Sequence, residues 1–258
     1  MINRDYEQKV PYKDYVTGKR IAIIGPASYS LSLNIGSMID SYDLVVRVGR
    51  SLEVLKQHPV SLGKKANILY NSFIRKPDQG GNPTLDLFTE HNIEWLCTAP
   101  WDGYGHGHPN PDYCNSTKQI LLHPLIDQSF LETALRSLSF HIMSRESASK
   151  INKILSSRAN AGFAAIFDLL SYDIKELFIC GYSFYLDPYI NGYKKGCTAT
   201  EADHTTRITR KKSIQGNHWQ CLKDEVNKNT KVVVDPFLRK ILNMESYSLE
   251  EFQKLNNV

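Results

Sequence analysis

The residues of this chain that could do chemistry are a histidine, an arginine, a group of tyrosines and several small-residue turns. His218 follows Gly216-Asn217. An imidazole titrates near neutrality and suits the removal of a proton from an attacking hydroxyl. Glu225, seven residues on, falls on the same face of a helix and could orient neighbouring groups. His204, beside Asp203, is the rival base, and a histidine that only caps a helix is the plain alternative. Arg158 stands just ahead of Asn160-Ala161-Gly162. A cation before a helix start suits a phosphate or carboxylate, with a structural salt bridge as the competing use. Gly25-Pro26-Ala27-Ser28 closes an Ile-rich run with a turn whose amides would face a phosphate-sized anion, unless it is an ordinary tight turn. Gly181 closes another such run and delivers Tyr182, Ser183, Tyr185 and Tyr189 just beyond it.

The stretch PWDGYGHGHPNPDYCNSTK is a long loop by composition, and such loops are usually functional or disordered. Trp101, Tyr104 and His106 could floor a sugar, since aromatic faces pack on pyranose rings. His106 and His108 alternatively suggest a metal, but no third ligand lies near them in sequence, and a plain loop stays open.

These residues need a scaffold that brings them together. RIAII and DLVVRV are β-branched runs separated by a helix-sized piece, which predicts a βαβ unit. NILYN is a third strand ending in Asn71-Ser72, IEWLCTA a fourth, KELFIC a fifth and KVVVDP the last. Residues 125–158 read as mainly helical, and NAGFAAIFDLLS as a helix from Asn160. NGYKKGCTATEADHTTRITRKKSIQGN reads as a long polar segment, either a lid, a solvated charged loop, or a contact with an anionic membrane surface. FLRKILNM and SLEEFQKLNN close the chain as amphipathic helices for the sheet or a partner subunit, so a homo-oligomer is compatible. Such alternation predicts one α/β domain over 1–258, Rossmann-like, with a largely parallel twisted sheet and helices on both faces. Ligands of such sheets sit at the carboxyl ends of the strands.

Composition narrows the classes. Thirty-one Lys+Arg against 27 Asp+Glu give a net charge of +4, too mild for nucleic acid yet welcoming to an anion. Five cysteines, an odd number without CxxC spacing, suggest neither a disulfide framework nor a zinc site. No run approaches the ~18 apolar residues of a membrane span, so a soluble, cytoplasmic chain is expected, with peripheral membrane contact left open. An acid ending DLVVRV, which a methyltransferase would use to hold a ribose, is missing.

Four pieces in order resemble the sialyltransferases, the bacterial ones of glycosyltransferase family 42 more than the animal ones of family 29. IAIIGPAS with IDSYDLVVRVGR is similar to their long donor-binding motif, LGKKANILYNSF to their Gly-Lys-Lys…Tyr-Asn strand, SRANAGFAAIFDLLSYDIKELFICGYSFY to their short motif, and GNHWQCLKDE to the histidine motif that opens a late helix. The resemblance spans most of residues 20–236. It implies a sialyltransferase-type variant of the GT-A fold, with a nucleotide-sugar core over 20–185, a lid over 186–216 and C-terminal helices with the last strand over 217–258. It further implies inverting transfer of sialic acid or a related keto-sugar acid from its CMP derivative to a glycan or glycolipid hydroxyl, without a metal or other cofactor. His218 would be the base, Tyr185 and Tyr189 would meet the departing phosphate, and Arg158 would supply the cation. Gly25, Pro26, Ala27, Ser28, Arg47, Gly49, Asn71, Ser72, Asn160, Ala161, Gly162, Gly181, Tyr182 and Ser183 would hold the donor. A CMP-Kdo-dependent enzyme of surface polysaccharide synthesis and an inactive nucleotide- or glycan-binding module are the alternatives. The chain departs from the pattern at Pro26-Ala27, at Gly49 where Asn is common, at Lys223 where an acid is usual, and in having no disulfide between the long and short motifs.

Overall fold

The computed structural model describes residues 10–73, 84–99, 133–134, 136–193 and 201–256, with backbone alone for 201–213 and residue 256. In chain order the elements are α1 (Tyr12–Val16), β1 (Arg20–Ile24), a 3₁₀ turn (Ser28–Ser32), α2 (Gly36–Asp40), β2 (Leu44–Val48), α3 (Leu52–Leu55), α4 (Pro59–Leu62), β3 (Ile68–Tyr70), α5 (Leu85–Glu90), β4 (Trp95–Thr98), β5 (Ser139–Ile142), α6 (Arg145–Leu155), α7 (Ala161–Leu169), β6 (Glu176–Cys180), α8 (Glu201–Lys228), β7 (Val232–Val234), α9 (Pro236–Leu242) and α10 (Leu249–Asn256).

The strands form one sheet in the order β5-β4-β3-β2-β1-β6-β7, and every pairing is parallel. A parallel sheet is covered on both faces, so its central strands read as continuous apolar runs. β2, Leu44–Val48, is buried at every position. Side chains alternate faces. Ile21, Ile23 and Val46 join α1, α6, α7, α8, α9 and α10 in one core, while Ala22, Ile24, Val45 and Leu69 join α2, α3, α4 and α5 in another. The chain walks outward from β1 to β5 and returns to place β6 on the other side of β1. That reversal is the switch point at which doubly wound sheets open a crevice.

Several expectations are corrected here. The piece between β1 and β2 is not one helix: a 3₁₀ turn and the five-residue α2 are separated by Asn34, whose φ of 52° a helix interior does not accept. SFHI, read within a helical stretch, is β5, which pairs with β4 alone. Its four residues, two of them polar, make no continuous apolar run to set them apart from the helical α6 beside them. The segment read as polar loop up to Asn217 is helix from Glu201 onward, so the division at 216/217 cuts through α8 and His218 sits in its interior rather than at its start. The C-terminal helices pack on the sheet through Leu238, Ile241 and Phe252.

Arg47 lies on the α2–α5 side of β2 and is 1% exposed. Its Nε donates to the Lys65 carbonyl at 3.1 Å, and its Nη2 to the carbonyls of Leu62 at 2.8 Å and Lys65 at 2.7 Å. Burial lowers its pKa to about 10, partly opposed by Asp40, so it stays charged at neutral pH. Its structural task is to tie β2 to the turn entering β3. Arg47→Met should therefore strand two buried carbonyls and cost about 3 kcal/mol, read as a lower urea midpoint with the same slope.

Candidate functional site

Gly25 and Gly181 end β1 and β6 side by side at the switch point. A Cβ on Gly25 would stand 2.4 Å from the Gly181 carbonyl and 2.9 Å from the Tyr182 ring, and one on Gly162 2.8 Å from Tyr182 Oη. Only glycine admits this approach, so these predicted residues do come together, with Tyr182 wedged between the β1 end and the start of α7. Tyr182 Oη donates to the Gly162 carbonyl at 3.3 Å. Asn160 caps α7, its Oδ1 accepting from Phe163 N at 2.9 Å. Arg158, half-buried, stands two residues ahead of the cap and Ala161 one after it.

The segment after β6 folds back over this junction. Ala27 N donates to the Gly181 carbonyl at 3.0 Å, Ser28 N to Pro188 at 2.8 Å, and Ile190 N to Pro26 at 2.9 Å, with an antiparallel bridge between Ala27 and Tyr189. Asp187 Oδ2 accepts from Ser28 Oγ and Tyr29 N, both at 2.8 Å. The turn amides expected to face an external anion are thus engaged by the chain's own carbonyls and by Asp187. Ser183, 5% exposed, donates to the Asp187 carbonyl at 3.2 Å. Phe184 and Tyr185 hold φ of 54° and 67°, a conformation that costs a non-glycine residue about 1–2 kcal/mol and that Tyr247 Oη helps hold by donating to the Phe184 carbonyl at 2.6 Å. The outcome is a file of rings, Tyr185 to Tyr189 at 5.7 Å and Tyr189 to Tyr193 at 5.0 Å, along the carboxyl edge of the sheet.

Gly49, at the end of β2, has φ 60°. Its carbonyl accepts from Asn71 Nδ2 at 2.9 Å, and Asn71 Oδ1 accepts from Phe73 N at 2.7 Å. Asn71 is 1% exposed and braces the turn after β2; Ser72 beside it is half-buried. Arg47, expected at the donor, is turned to the opposite side of the sheet. Arg50 is a cation that follows β2 directly, held by Glu53 through Nε at 2.9 Å.

His218 is 1% exposed. Its Nδ1 lies 2.7 Å from the Ile214 carbonyl, which can only accept, so Nδ1 carries the proton and Nε2 the lone pair. Nε2 is buried and meets no partner among the described residues, and the ring stands edge-on to Phe163 in the first turns of α7, at 4.6 Å. Burial lowers its pKa below the ordinary 6.5 despite the Ile214 hydrogen bond. Glu225 does not orient it: that carboxylate binds Lys228 at 2.7 Å and Asn229 at 2.9 Å. Lys223, in the place of the usual acid, donates to the Met244 carbonyl and covers the Trp219 ring. Trp101, Tyr104, His106 and His108 lie outside the described residues, as does the side chain of His204.

Two polar assemblies escaped the sequence reading. Asp235, 0% exposed, caps α9 through Phe237 N and Leu238 N and accepts from Tyr29 Oη, all at 2.8 Å; an Asp before Pro236 at a helix start is a signal that could have found it. Asp168 accepts from Tyr70 and lies 2.8 Å from His141 Nε2, with Tyr12 stacked on His141 at 3.9 Å. Nothing local in sequence joins residues so far apart.

Gly49→Ala should cost about 1–2 kcal/mol for its left-handed backbone plus a clash, because the new Cβ would lie 2.3 Å from Tyr193 Oη. Tyr193→Phe should relieve the clash alone, so thermal unfolding of the double mutant should show a less than additive loss.

No family model and no curated protein matches the chain. Among solved structures it is similar to two of a mammalian sialyltransferase, one of them in complex with Gal-beta-1-3GalNAc-ortho-nitrophenol: the identities are 15% for the complex and 12% for the other, the TM-scores 0.41 and 0.42, and each comparison covers 87% of this chain and 71% of that chain.

Proposed function

We propose that this protein is an inverting glycosyltransferase that moves sialic acid, or a related keto-sugar acid, from its CMP-activated form to a glycan hydroxyl, with His218 as general base. The observation that carries the reading is the state of that imidazole. The Ile214 carbonyl holds the proton on Nδ1, burial keeps the ring neutral, and Nε2 is left with an unused lone pair beside the start of α7. A base needs that arrangement to take the proton of an attacking hydroxyl. In this reading the acceptor oxygen attacks the anomeric carbon as Nε2 takes its proton, and the bond to the CMP phosphate breaks on the opposite side. Tyr185 and Tyr189 offer hydroxyls to the departing phosphate without a competing base, and Arg158 supplies positive charge near the start of α7. A retaining route needs a carboxylate free to attack; among the described residues near the ends of β1 and β6, Asp187 is held by two donors and Asp235 is buried and held by three. No metal is required, because CMP leaves well once donors neutralise its phosphate.

The inactive binding module is the second reading, favoured by the internal use of the Ala27, Ser28 and Tyr29 amides and by the 1% exposure of His218. Both readings expect CMP at ~100 times its Kd to add ~2.7 kcal/mol of apparent stability. Only the enzyme reading expects release of CMP from CMP-sialic acid or CMP-Kdo, compared side by side, when a glycan acceptor is supplied. His218→Gln should then lower kcat ~10²–10⁴-fold while the CMP-induced thermal shift persists. CMP release unchanged in that variant would remove His218 from the reaction.

The pH dependence has a definite sign. Above pH 6.5 the imidazole is neutral folded or unfolded; as pH falls, the unfolded chain takes up its proton first, so His218 favours folding at neutral pH and that contribution is lost toward its lower folded value. The acid limb of kcat/KM should accordingly fall below pH 6.5, and His218→Gln should flatten the loss of stability in that window, read by urea unfolding across the range.

A further inference from the structure

The turn that follows β6 takes a form its residues disfavour. Leu186 N donates to the Ser183 carbonyl at 2.9 Å, and both residues between them, Phe184 and Tyr185, have positive φ. Positive φ at both central positions is the pattern of a type I′ turn, a place ordinarily taken by Gly, Asn or Asp. Two aromatic residues there press a Cβ each against the backbone, and strain of this kind persists only where the surroundings over-determine it. The arrangement buries Phe184 in the core and leaves Tyr185 half-buried at the carboxyl edge of the sheet.

Tyr247, in the segment between α9 and α10, is buried, and its Oη donates to the Phe184 carbonyl at 2.6 Å. That carbonyl belongs to the peptide joining the two strained residues, so the contact fixes the plane from which the Tyr185 side chain departs. Burial, reinforced by the neighbouring Tyr185 phenol, raises the Tyr247 phenol above its ordinary value, and it remains a donor at neutral pH.

The ring of Tyr247 rests on α8. A Cβ on Gly216, two residues before His218, would lie 3.6 Å from that ring. The same part of the chain is fastened to α8 at two further points, where Trp219 Nε1 donates to the Ile241 carbonyl at 2.9 Å and Lys223 Nζ to the Met244 carbonyl at 3.0 Å. One side chain therefore touches both the helix that carries His218 and the turn that carries Tyr185.

The geometry points to Tyr247 as a positioning residue for glycosyl transfer, an inference that rests on the roles given to Tyr185 and His218 under the proposed function. Its hydroxyl holds the Phe184-Tyr185 peptide so that the Tyr185 hydroxyl meets the departing phosphate, and its ring keeps that turn in a fixed place relative to α8. It acts through Tyr185 and not on the reacting atoms.

The test measures kcat and KM for CMP release, from whichever of CMP-sialic acid and CMP-Kdo the chain uses with a glycan acceptor, in the unaltered chain, Tyr247→Phe, Tyr185→Phe and the double variant. Tyr247→Phe removes one oxygen from a buried ring, and a persisting CMP-induced thermal shift reports that the variant is folded. It should lower kcat ~10–10²-fold, the cost of a small misplacement at a reacting site, with KM unchanged, as for an interaction realised only in the transition state. Once the Tyr185 hydroxyl is gone, removing that of Tyr247 should lower kcat no further, whereas a residue that served only the fold would lower it by the same factor in either background. The proposal alone is overturned if Tyr185→Phe is impaired but Tyr247→Phe keeps its kcat, raises KM instead, or lowers kcat equally in both backgrounds. If the unaltered chain releases no CMP, or Tyr185→Phe is as active as the unaltered chain, the roles given to the site fail and this proposal fails with them.

Discussion

The buried carboxylate of Asp235 is the point on which the carboxyl edge of this sheet depends. It is fully shielded from solvent, and an anion in such a place is tolerable only when donors surround it. Two come from the first turn of α9 and one from Tyr29, while Gly181 N lies 3.4 Å away and also donates to Tyr29 Oη at 3.0 Å. One side chain thereby ties the end of β7, the start of α9, the turn after β1 and the turn after β6. Burial also raises the Tyr29 phenol well above its ordinary value, reinforced by Asp235, so it remains a donor throughout the physiological range.

On that base the switch point is closed by backbone rather than by side chains. Gly25 and Gly181 leave no room for a Cβ, and the segment from Gly181 to Tyr193 returns across β1 through main-chain hydrogen bonds. The strained pair Phe184-Tyr185 persists because the surroundings over-determine it: Tyr247 holds one carbonyl, and the bridge at Ala27–Tyr189 holds the far side. The same return places Asp187 against Ser28 and Tyr29, so an anion entering there meets a carboxylate already seated.

His218 follows a different logic. Its place inside α8 gives Nδ1 the carbonyl one turn back, and this contact selects the tautomer. Phe163 and the surrounding core exclude water, which keeps the ring neutral and Nε2 unmet. A solvent-exposed histidine in the same helix would have neither property.

Much of the fold was legible in the sequence because it rests on local patterns. The apolar runs of β1, β2, β6 and β7, the Asn160 cap and the two C-terminal amphipathic helices are each written within a few consecutive residues, and they suffice for a parallel α/β sheet. The short β5, made by pairing with β4, and the polar first half of α8, which carries no apolar periodicity, were not legible on those terms. Residue types at strand ends pointed to a common junction, and Gly25, Gly162, Gly181 and Tyr182 meet at the ends of β1 and β6. The direction of a side chain was beyond reach: Arg47 faces the opposite core because side chains alternate along β2, and only the pairing of β2 between β1 and β3 decides which side that is. Asp187 on Ser28, Asp168 beside His141 and Asp235 under Tyr29 join residues 27 to 206 positions apart. Local sequence determines which elements form; contacts across such separations exist only once the sheet order has been set, and they decided which polar groups are spent inside the fold and which are left to meet a ligand.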